Sequence, residues 1–434
     1  MLFHTIEDYK EKLNGKKVFV RIDTNATLEN GQMPLTERVK SAFDTIKFLV
    51  DAGASVVAAS HNGRKGDLNF VSIGPLFLLL KHQHPELPDI ICPGNTYDTD
   101  YLGINSKALK TIKKMQPGEV VILENVRFLS NETAKLSREE FSKQKFVQDL
   151  IDAGVSYYIL DGFSVSHRGH MSVVGFPQIP NLAGLCLKKE LDGAGQVIKM
   201  LNESKTGEKK VAFILGGAKI QDYISLIENA LKENTVDKIL PGGVLSQLFF
   251  FAKGIDVGEG SKVPLLKKDA KGKSGWDYKE RIEVILNKYP DRIELPIDVA
   301  YEMPDGTRKE FMVDEVEEIA KEKGSILDIG TKTAQKYKEI LSKMNMAYWK
   351  GPLGAYDLNP LFDKGSKEVL DFLKDNKAVF SVMGGGDTGQ MLQYMKVETT
   401  QLGYVSLSGG ALIKILAGSK LPGIAVLEES YQKY

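Results

Sequence analysis

Along most of this chain, short apolar runs rich in β-branched residues empty into a turn of unusual composition and then into a helical pattern. That alternation constrains the fold more than any other feature. In the first half, Lys17–Arg21 leads to Ile22-Asp23-Thr24-Asn25, and Ala54–Ala59 leads to Ser60-His61-Asn62-Gly63-Arg64. Val120–Leu123 leads to Glu124-Asn125-Val126-Arg127, and Tyr157–Leu160 to Asp161-Gly162-Phe163, with His167-Arg168-Gly169-His170 soon after. Helical stretches such as Thr36–Ala52 and Lys107–Met115 lie between. Strand, turn and helix in this order make βα units, and βα units make a parallel sheet. Ligands of such sheets bind beyond the carboxyl ends of the strands, so function is to be sought in the turns.

The turns of the two halves differ. Of 57 Lys and Arg residues only nine are arginine, and most of those in the first half fall at or just beyond strand ends. A guanidinium fork suits carboxylate and phosphate oxygens in a way an ammonium does not. A single arginine is more often a surface residue, but repeated placement after strands predicts that Arg21, Arg38, Arg64, Arg127 and Arg168, with His61, His167 and His170, form a basic crater for a small polyanion. The second half dresses its strand ends in glycine. Val211–Leu215 leads to Gly216-Gly217-Ala218-Lys219, and Lys238–Leu240 to Pro241-Gly242-Gly243. Lys377–Met383 leads to Gly384-Gly385-Gly386-Asp387-Thr388-Gly389, and Tyr404–Ser408 to Gly409-Gly410-Ala411. Glycine lets backbone amides approach a ligand, and the helix N-terminus that follows favours an anion. These turns are expected to floor a phosphate site, with Lys219 as a fixed charge and Asp357 and Asp387 available to a sugar or a divalent ion. One such turn alone would be read as a tight connection.

Around Pro180 the pattern changes. Leu187, Leu191, Ala194, Ile198 and Leu201 recur at helical spacing, and the polar run 202–210 reads as a linker. The expected organisation is an N-terminal domain over residues 1–180, a linking helix over 181–202, a second domain over 203–405 and a C-terminal segment over 406–434. The lysine-rich stretch 262–279, broken by Pro264 and Gly272, reads as a solvated loop or short helix. A formal net charge of +0 over 434 residues argues against nucleic-acid or anionic-membrane partners. Met1–Asp8 lacks the pattern of a signal peptide and no run is long enough to span a membrane, so a cytoplasmic protein is expected. Cys92 and Cys186 have no metal-ligand spacing and suggest no disulfide framework.

One half with arginines at its strand ends and another with glycine turns invites phosphoryl transfer between an anionic substrate and a nucleotide across a closing cleft, chemistry that needs positioning and charge neutralisation more than covalent help. The motifs Arg21-Ile-Asp23-Thr-Asn25, Ser60-His61-Asn62-Gly63-Arg64, Leu123–Phe128, Asp161–His170, Leu215–Lys219, Leu295-Pro296-Ile297-Asp298, Trp349–Gly354 and Gly384–Thr388 stand in the order found in phosphoglycerate kinases. Through them nearly the whole chain resembles that family. The resemblance implies an α/β fold of two Rossmann-like three-layer domains with parallel sheets, joined by a hinge helix, the C-terminal segment returning towards the N-terminal domain. It implies a monomeric enzyme that moves a phosphoryl group between 1,3-bisphosphoglycerate and ADP, giving 3-phosphoglycerate and ATP, with Mg2+. Carried over by position, Arg21, Asp23, Asn25, Arg38, His61, Arg64, Arg127 and Arg168 would bind the phosphoglycerate. Arg38, Lys219, Gly385 and Gly386 would act on the transferring group. Gly216, Gly217, Ala218, Lys219, Tyr223, Gly242, Gly243, Lys350, Pro352, Asp357, Gly384, Gly385, Gly386, Asp387 and Thr388 would bind the nucleotide, Asp387 holding its metal.

The nucleotide half departs from the family pattern. Tyr223 stands where the family has a second lysine, Lys350 where it usually has asparagine, and Asp357 where a glutamate meets the ribose. Pro241 replaces a glycine, and Ser406-Leu407-Ser408 replaces Ser-Thr-Gly. These changes leave open an altered nucleotide preference, or an acid-binding or regulatory protein with an impaired nucleotide half. Gly384, Gly386 and Gly389 also satisfy the dinucleotide fingerprint G-x-G-x-x-G, but no acidic residue follows in Tyr404–Leu412 to meet a ribose.

Overall fold

The computed structural model describes residues 2–268, 272–315, 324–406, 408–416 and 419–434. Leu407 and residues 269–271 of the lysine-rich stretch lie outside these. The chain forms two compact units, Met1–Asp192 with Ser419–Tyr434, and Gly193–Gly418.

The first unit holds a sheet of five parallel strands, β1 (Lys17–Ile22), β2 (Ser55–Ala59), β3 (Val120–Ile122), β4 (Val155–Asp161) and β5 (Asn181–Ala183), in the order β3-β2-β1-β4-β5. β1 carries apolar residues on both its faces because both are covered. Val18, Val20 and Ile22 join the core that includes Phe43, Ile46 and Phe77, while Phe19 meets Phe146 and Phe176 on the other side. The helix Glu37–Asp51 starts where Thr36 Oγ1 accepts from the Val39 N–H (3.3 Å), and its Val39, Phe43, Ile46 and Leu49 form one buried stripe. Burying each such side chain stabilises the unit by roughly 1.5–3 kcal/mol. The helix Pro422–Lys433 belongs to this unit, its Ser430 Oγ accepting from the Asn181 N–H at 2.8 Å.

The second unit holds a parallel sheet of β6 (Val211–Leu215), β7 (Lys238–Pro241), β11 (Met346–Lys350), β12 (Phe380–Gly384) and β13 (Tyr404–Ser406), in the order β13-β12-β11-β6-β7. It also holds a small antiparallel sheet, which the alternation of strand and helix does not signal: β8 (Asp298–Glu302), β9 (Arg308–Met312) and β10 (Ser325–Ile329), in the order β10-β8-β9. The β8–β9 turn is set locally, Asp305 Oδ1 accepting from the Thr307 N–H (3.0 Å) with Gly306 at φ 80°. Asp298, from the motif Leu295–Asp298, caps the helix Thr331–Leu341, accepting from the N–H groups of Thr333 (2.7 Å) and Lys332 (3.0 Å). Among the described residues no helix is long and apolar enough to cross a membrane.

Residues 181–202, read as one helix, divide. Asn181–Ala183 pairs with Tyr158–Leu160 as β5, and the helix runs over Leu185–Lys205, past the expected linker start, to a turn whose Gly207 has φ 81°. The chain passes from one unit to the other within this helix. Asp161, the last residue of β4, accepts from the Leu187 N–H in the helix's first turn at 3.1 Å. Burial pushes its carboxyl up to about 7, from an ordinary value of 3.8. Between those values the unfolded chain has released a proton that the folded chain keeps. This contribution to stability is therefore full at low pH, declines as pH rises, and levels off above about 7. Asp161→Asn removes the group, so the fall in unfolding temperature between pH 5 and pH 8 should be smaller in the variant than in the parent. Scanning calorimetry with equal falls in both would exclude Asp161 as a source of the slope.

Candidate active site

In the first unit the sheet order reverses direction between β1 and β4, and the loops beyond the carboxyl ends of its strands converge where such sheets bind ligands. They enclose an open cavity of about 1030 Å³ lined by Arg64, Lys65, Arg127, His167, Arg168 and His170 together with Phe70, Tyr101, Phe128, Leu129, Ser130 and Thr133. No carboxylate is among the residues lining it. Burial and the neighbouring Arg168, Arg21 and Arg64 depress Arg127 to about 10, and burial with Arg64 lowers Arg168 as well. Such mutual repulsion is relieved by an anion.

The loop after β2 ties this cluster to the one beside it. The Gly63 N–H donates to Asn25 Oδ1 (3.0 Å), while the Gly63 carbonyl accepts from Arg127 Nη1. Arg38 Nη1 donates to the Asn25 carbonyl (3.2 Å) and lies 3.5 Å from Asp23 Oδ2, which also accepts from Ser164 Oγ. Asp23, Asn25 and Arg38 thus form one network, and Arg64, Arg127 and Arg168 face the cavity.

Arg21 and His61 stand differently from the others. Arg21 is 1% exposed, its Nε donating to Ser172 Oγ (2.9 Å), its Nη1 to the Ile22 carbonyl and its Nη2 to His61 Nδ1 (3.0 Å). It lies buried behind the site and is not among the residues lining the cavity, where it was expected as a ligand. Because a guanidinium can only donate, His61 Nδ1 is an acceptor and the ring proton sits on Nε2. Burial, Arg21, Arg127 and Arg168 hold His61 well below its ordinary value. The ring is therefore neutral and makes no ion pair with Asp23, 3.9 Å away. His170 is likewise depressed, to about 3, by burial and by Arg168. Sequence reasoning missed Glu132 and Ser172. Glu132 is buried, accepts from the Ser172 N–H (3.0 Å) and Oγ–H (2.7 Å), and is pushed up to about 7 by burial. Through Ser172 its carboxyl is joined to Arg21. Nothing in the local sequence signals that role.

In the second unit the order reverses between β6 and β11, and the glycine turns prove to be of two kinds. The first kind packs backbone on backbone. The N–H groups of Gly216, Gly217, Gly242 and Gly243 donate to the carbonyls of Lys350 (2.9 Å), Pro352 (2.7 Å), Leu215 (2.8 Å) and Leu353 (2.9 Å). These amides, expected to cradle phosphate, are spent internally. The second kind stays open. Gly385, at φ 104°, turns the chain out of β12 into the helix Gly386–Tyr394, which has no side-chain cap, and among the described residues no other part of the chain comes within 4 Å of a Cβ placed on Gly386. First-turn amides at such an N-terminus suit an anion.

Around this open turn the charged side chains are paired. Lys219 Nζ donates to both oxygens of Asp387 at 2.8 Å, and Lys350 Nζ donates to Asp222 Oδ2 at 3.1 Å. Thr388 is buried and structural, its Oγ1 accepting from the Gly351 N–H (2.9 Å) and donating to the Gly384 carbonyl (3.0 Å). Tyr223, expected among the nucleotide ligands, is buried and donates its hydroxyl to the Gly216 carbonyl at 2.7 Å, so it braces the floor. Ala218 and Asp357 are exposed, and Asp357 and Asp387 together raise the Tyr356 phenol, after burial.

The family model described as phosphoglycerate kinase matches residues 6–419. The phosphoglycerate kinases of Pyrococcus furiosus and Methanopyrus kandleri are 32% and 33% identical to this chain over 421 residues, the matches covering 96% and 97% of it and 96% of each relative. The crystal structure of phosphoglycerate kinase from Pyrococcus horikoshii shares its fold with a TM-score of 0.82 at 29% identity, covering 99% of this chain and 100% of that one. The glycine spacing that also fits a dinucleotide fingerprint therefore belongs to a kinase turn. With the arginine-lined cavity, the open helix N-terminus beside Lys219 and Asp387, and a family match over nearly its whole length, the chain belongs to the phosphoglycerate kinase family.

Proposed function

We propose that this glycolytic phosphotransferase transfers a phosphoryl group between 1,3-bisphosphoglycerate and ADP, giving 3-phosphoglycerate and ATP. The observation that carries the reading is the cavity walled by Arg64, Arg127 and Arg168 with no carboxylate lining it, a site that demands a small, highly charged anion. In this reading the three guanidiniums hold the phosphate of the acid, Arg38 lies towards its reacting carboxylate, and neutral His61 offers its Nε2–H as a donor. Lys219 faces the transferring phosphoryl group, whose charge spreads in the transition state. The open first turn of the helix Gly386–Tyr394 receives nucleotide phosphate.

Magnesium fits this site in one respect. Among the described residues no cluster of three or more His, Cys, Asp or Glu side chains makes a ready metal cage, but magnesium carried by phosphates needs only one or two carboxylates, and Asp387 supplies one. Bound there, the ion would neutralise phosphate charge. Because the acid and the nucleotide are assigned to different units, transfer requires closure to bring reacting atoms to about 3–3.5 Å. The reading includes a cytoplasmic monomer without nucleic-acid or membrane partners, supported by the balance of 57 basic and 57 acidic residues.

The test is a coupled assay of the purified protein with 3-phosphoglycerate and a panel of nucleoside triphosphates. Turnover with at least one of them is expected. No turnover with any, alongside measurable 3-phosphoglycerate binding, would replace the reading with that of an acid-binding protein.

A further inference from the structure

Lys350 is the last residue of β11 and is 7% exposed. An amine buried there has lost most of its hydration, and burial lowers its pKa. Its Nζ donates to Asp222 Oδ2 at 3.1 Å and lies 5.0 Å from the centre of the Tyr223 ring, a cation over an aromatic face. Its alkyl chain runs beside the open turn, Cε lying 3.5 Å from a Cβ placed on Gly385. The ammonium is thus held between the first turns of two uncapped helices, Ile220–Lys232, which carries Asp222, and Gly386–Tyr394. Lys219 and Asp387 lie close enough for their charges to act on it.

Asp222 does not need this lysine. As an acid in the first turn of a helix it is already favoured by the helix dipole, and its side chain is 48% exposed, free to turn to water. Lys350, by contrast, has three donors and little access to solvent. A phosphate oxygen arriving at the open turn would offer it a stronger acceptor than the one it has.

We propose that Lys350 is a phosphate-facing cation of the nucleotide site, kept charged and in position by Asp222 and Tyr223 when no ligand is bound, and passed from Asp222 to a nucleotide phosphate on binding. The inference rests on the phosphoryl-transfer reading. Before binding, Lys219 with Asp387 and Lys350 with Asp222 make two neutral pairs. Binding redirects both cations towards phosphate.

Calorimetric titration of the full chain with ADP, adenosine and 3-phosphoglycerate tests this, with K350M, D222N and the double variant beside the parent. K350M should weaken ADP about ten-fold or more, the loss of one charge-assisted hydrogen bond, and leave adenosine and 3-phosphoglycerate unchanged. D222N should change ADP affinity several-fold in the parent, where Lys350 loses the partner that holds it, and should do far less in the K350M background. ADP affinity unchanged in K350M would overturn the proposal. So would D222N acting equally in both backgrounds, as would a K350M loss shared by adenosine, which would mark Lys350 as a packing residue only. Turnover of the parent enzyme reports on the phosphoryl-transfer reading separately, so that reading can stand while this inference falls. A parent that binds no nucleotide overturns both.

Discussion

Lys219→Ala should lower turnover by about 10²–10³, the loss that follows removal of one preorganised transition-state donor, with little change in 3-phosphoglycerate affinity. The structure adds a sharper expectation. Lys219 Nζ holds both oxygens of Asp387 at 2.8 Å, and the two side chains are 55% and 41% exposed. An ion pair so open to water contributes about 0–1 kcal/mol, little to set against a phosphate. Removing the lysine leaves Asp387 without competition for a magnesium ion, so KM for magnesium nucleotide should hold steady or fall while kcat collapses. Steady-state kinetics with the nucleotide varied separates the two parameters. Turnover within a few-fold of the parent would take Lys219 out of the mechanism.

Arg168→Ala should weaken 3-phosphoglycerate binding ten-fold or more, since a hydrogen bond to a charged group contributes roughly 1.5–3 kcal/mol. Arg64→Ala should act in the same direction. The arginines depress one another, so deleting one eases the burden on those that remain, and the double variant should lose less than the product of the single losses. Arg127 is a poorer choice for such a cycle because its Nη1 also donates to the Gly63 carbonyl. Titration calorimetry of the parent, the two single variants and the double variant provides the check. Unchanged affinity in Arg168→Ala would remove this cavity from the acid-binding model.

Sequence made the strands and their exits legible because buried parallel strands are apolar without interruption, and the loops beyond them carry the residues that their cores cannot. The arginines at 64, 127 and 168 could be assigned to one place on that ground alone. Arg21 could not be told from them, although its neighbours turn it into a buried brace for His61. The buried Glu132 lies far along the chain and is joined to it through Ser172. The same limit hid the strands β8 to β10, whose pairing depends on partners distant in sequence. Position in a motif alone places Tyr223 among the ligands. Its hydroxyl is committed to the Gly216 carbonyl.

The glycine turns that pack backbone on backbone bear on how substitution data for this enzyme are to be interpreted. A Cβ added to Gly216 would fall on the Pro352 carbonyl oxygen, one on Gly351 on the Gly216 carbonyl oxygen, and one on Gly243 within 2.5 Å of the Gly217 nitrogen. An alanine scan would therefore record damage at each of these positions whether or not a nucleotide ever touches them. Intolerance here measures how tightly three loops are laced together, and a map of sensitive positions would draw the ligand's outline too large. Gly386, where a Cβ meets none of the described residues outside its own helix, is the position at which the scan would report on the ligand itself.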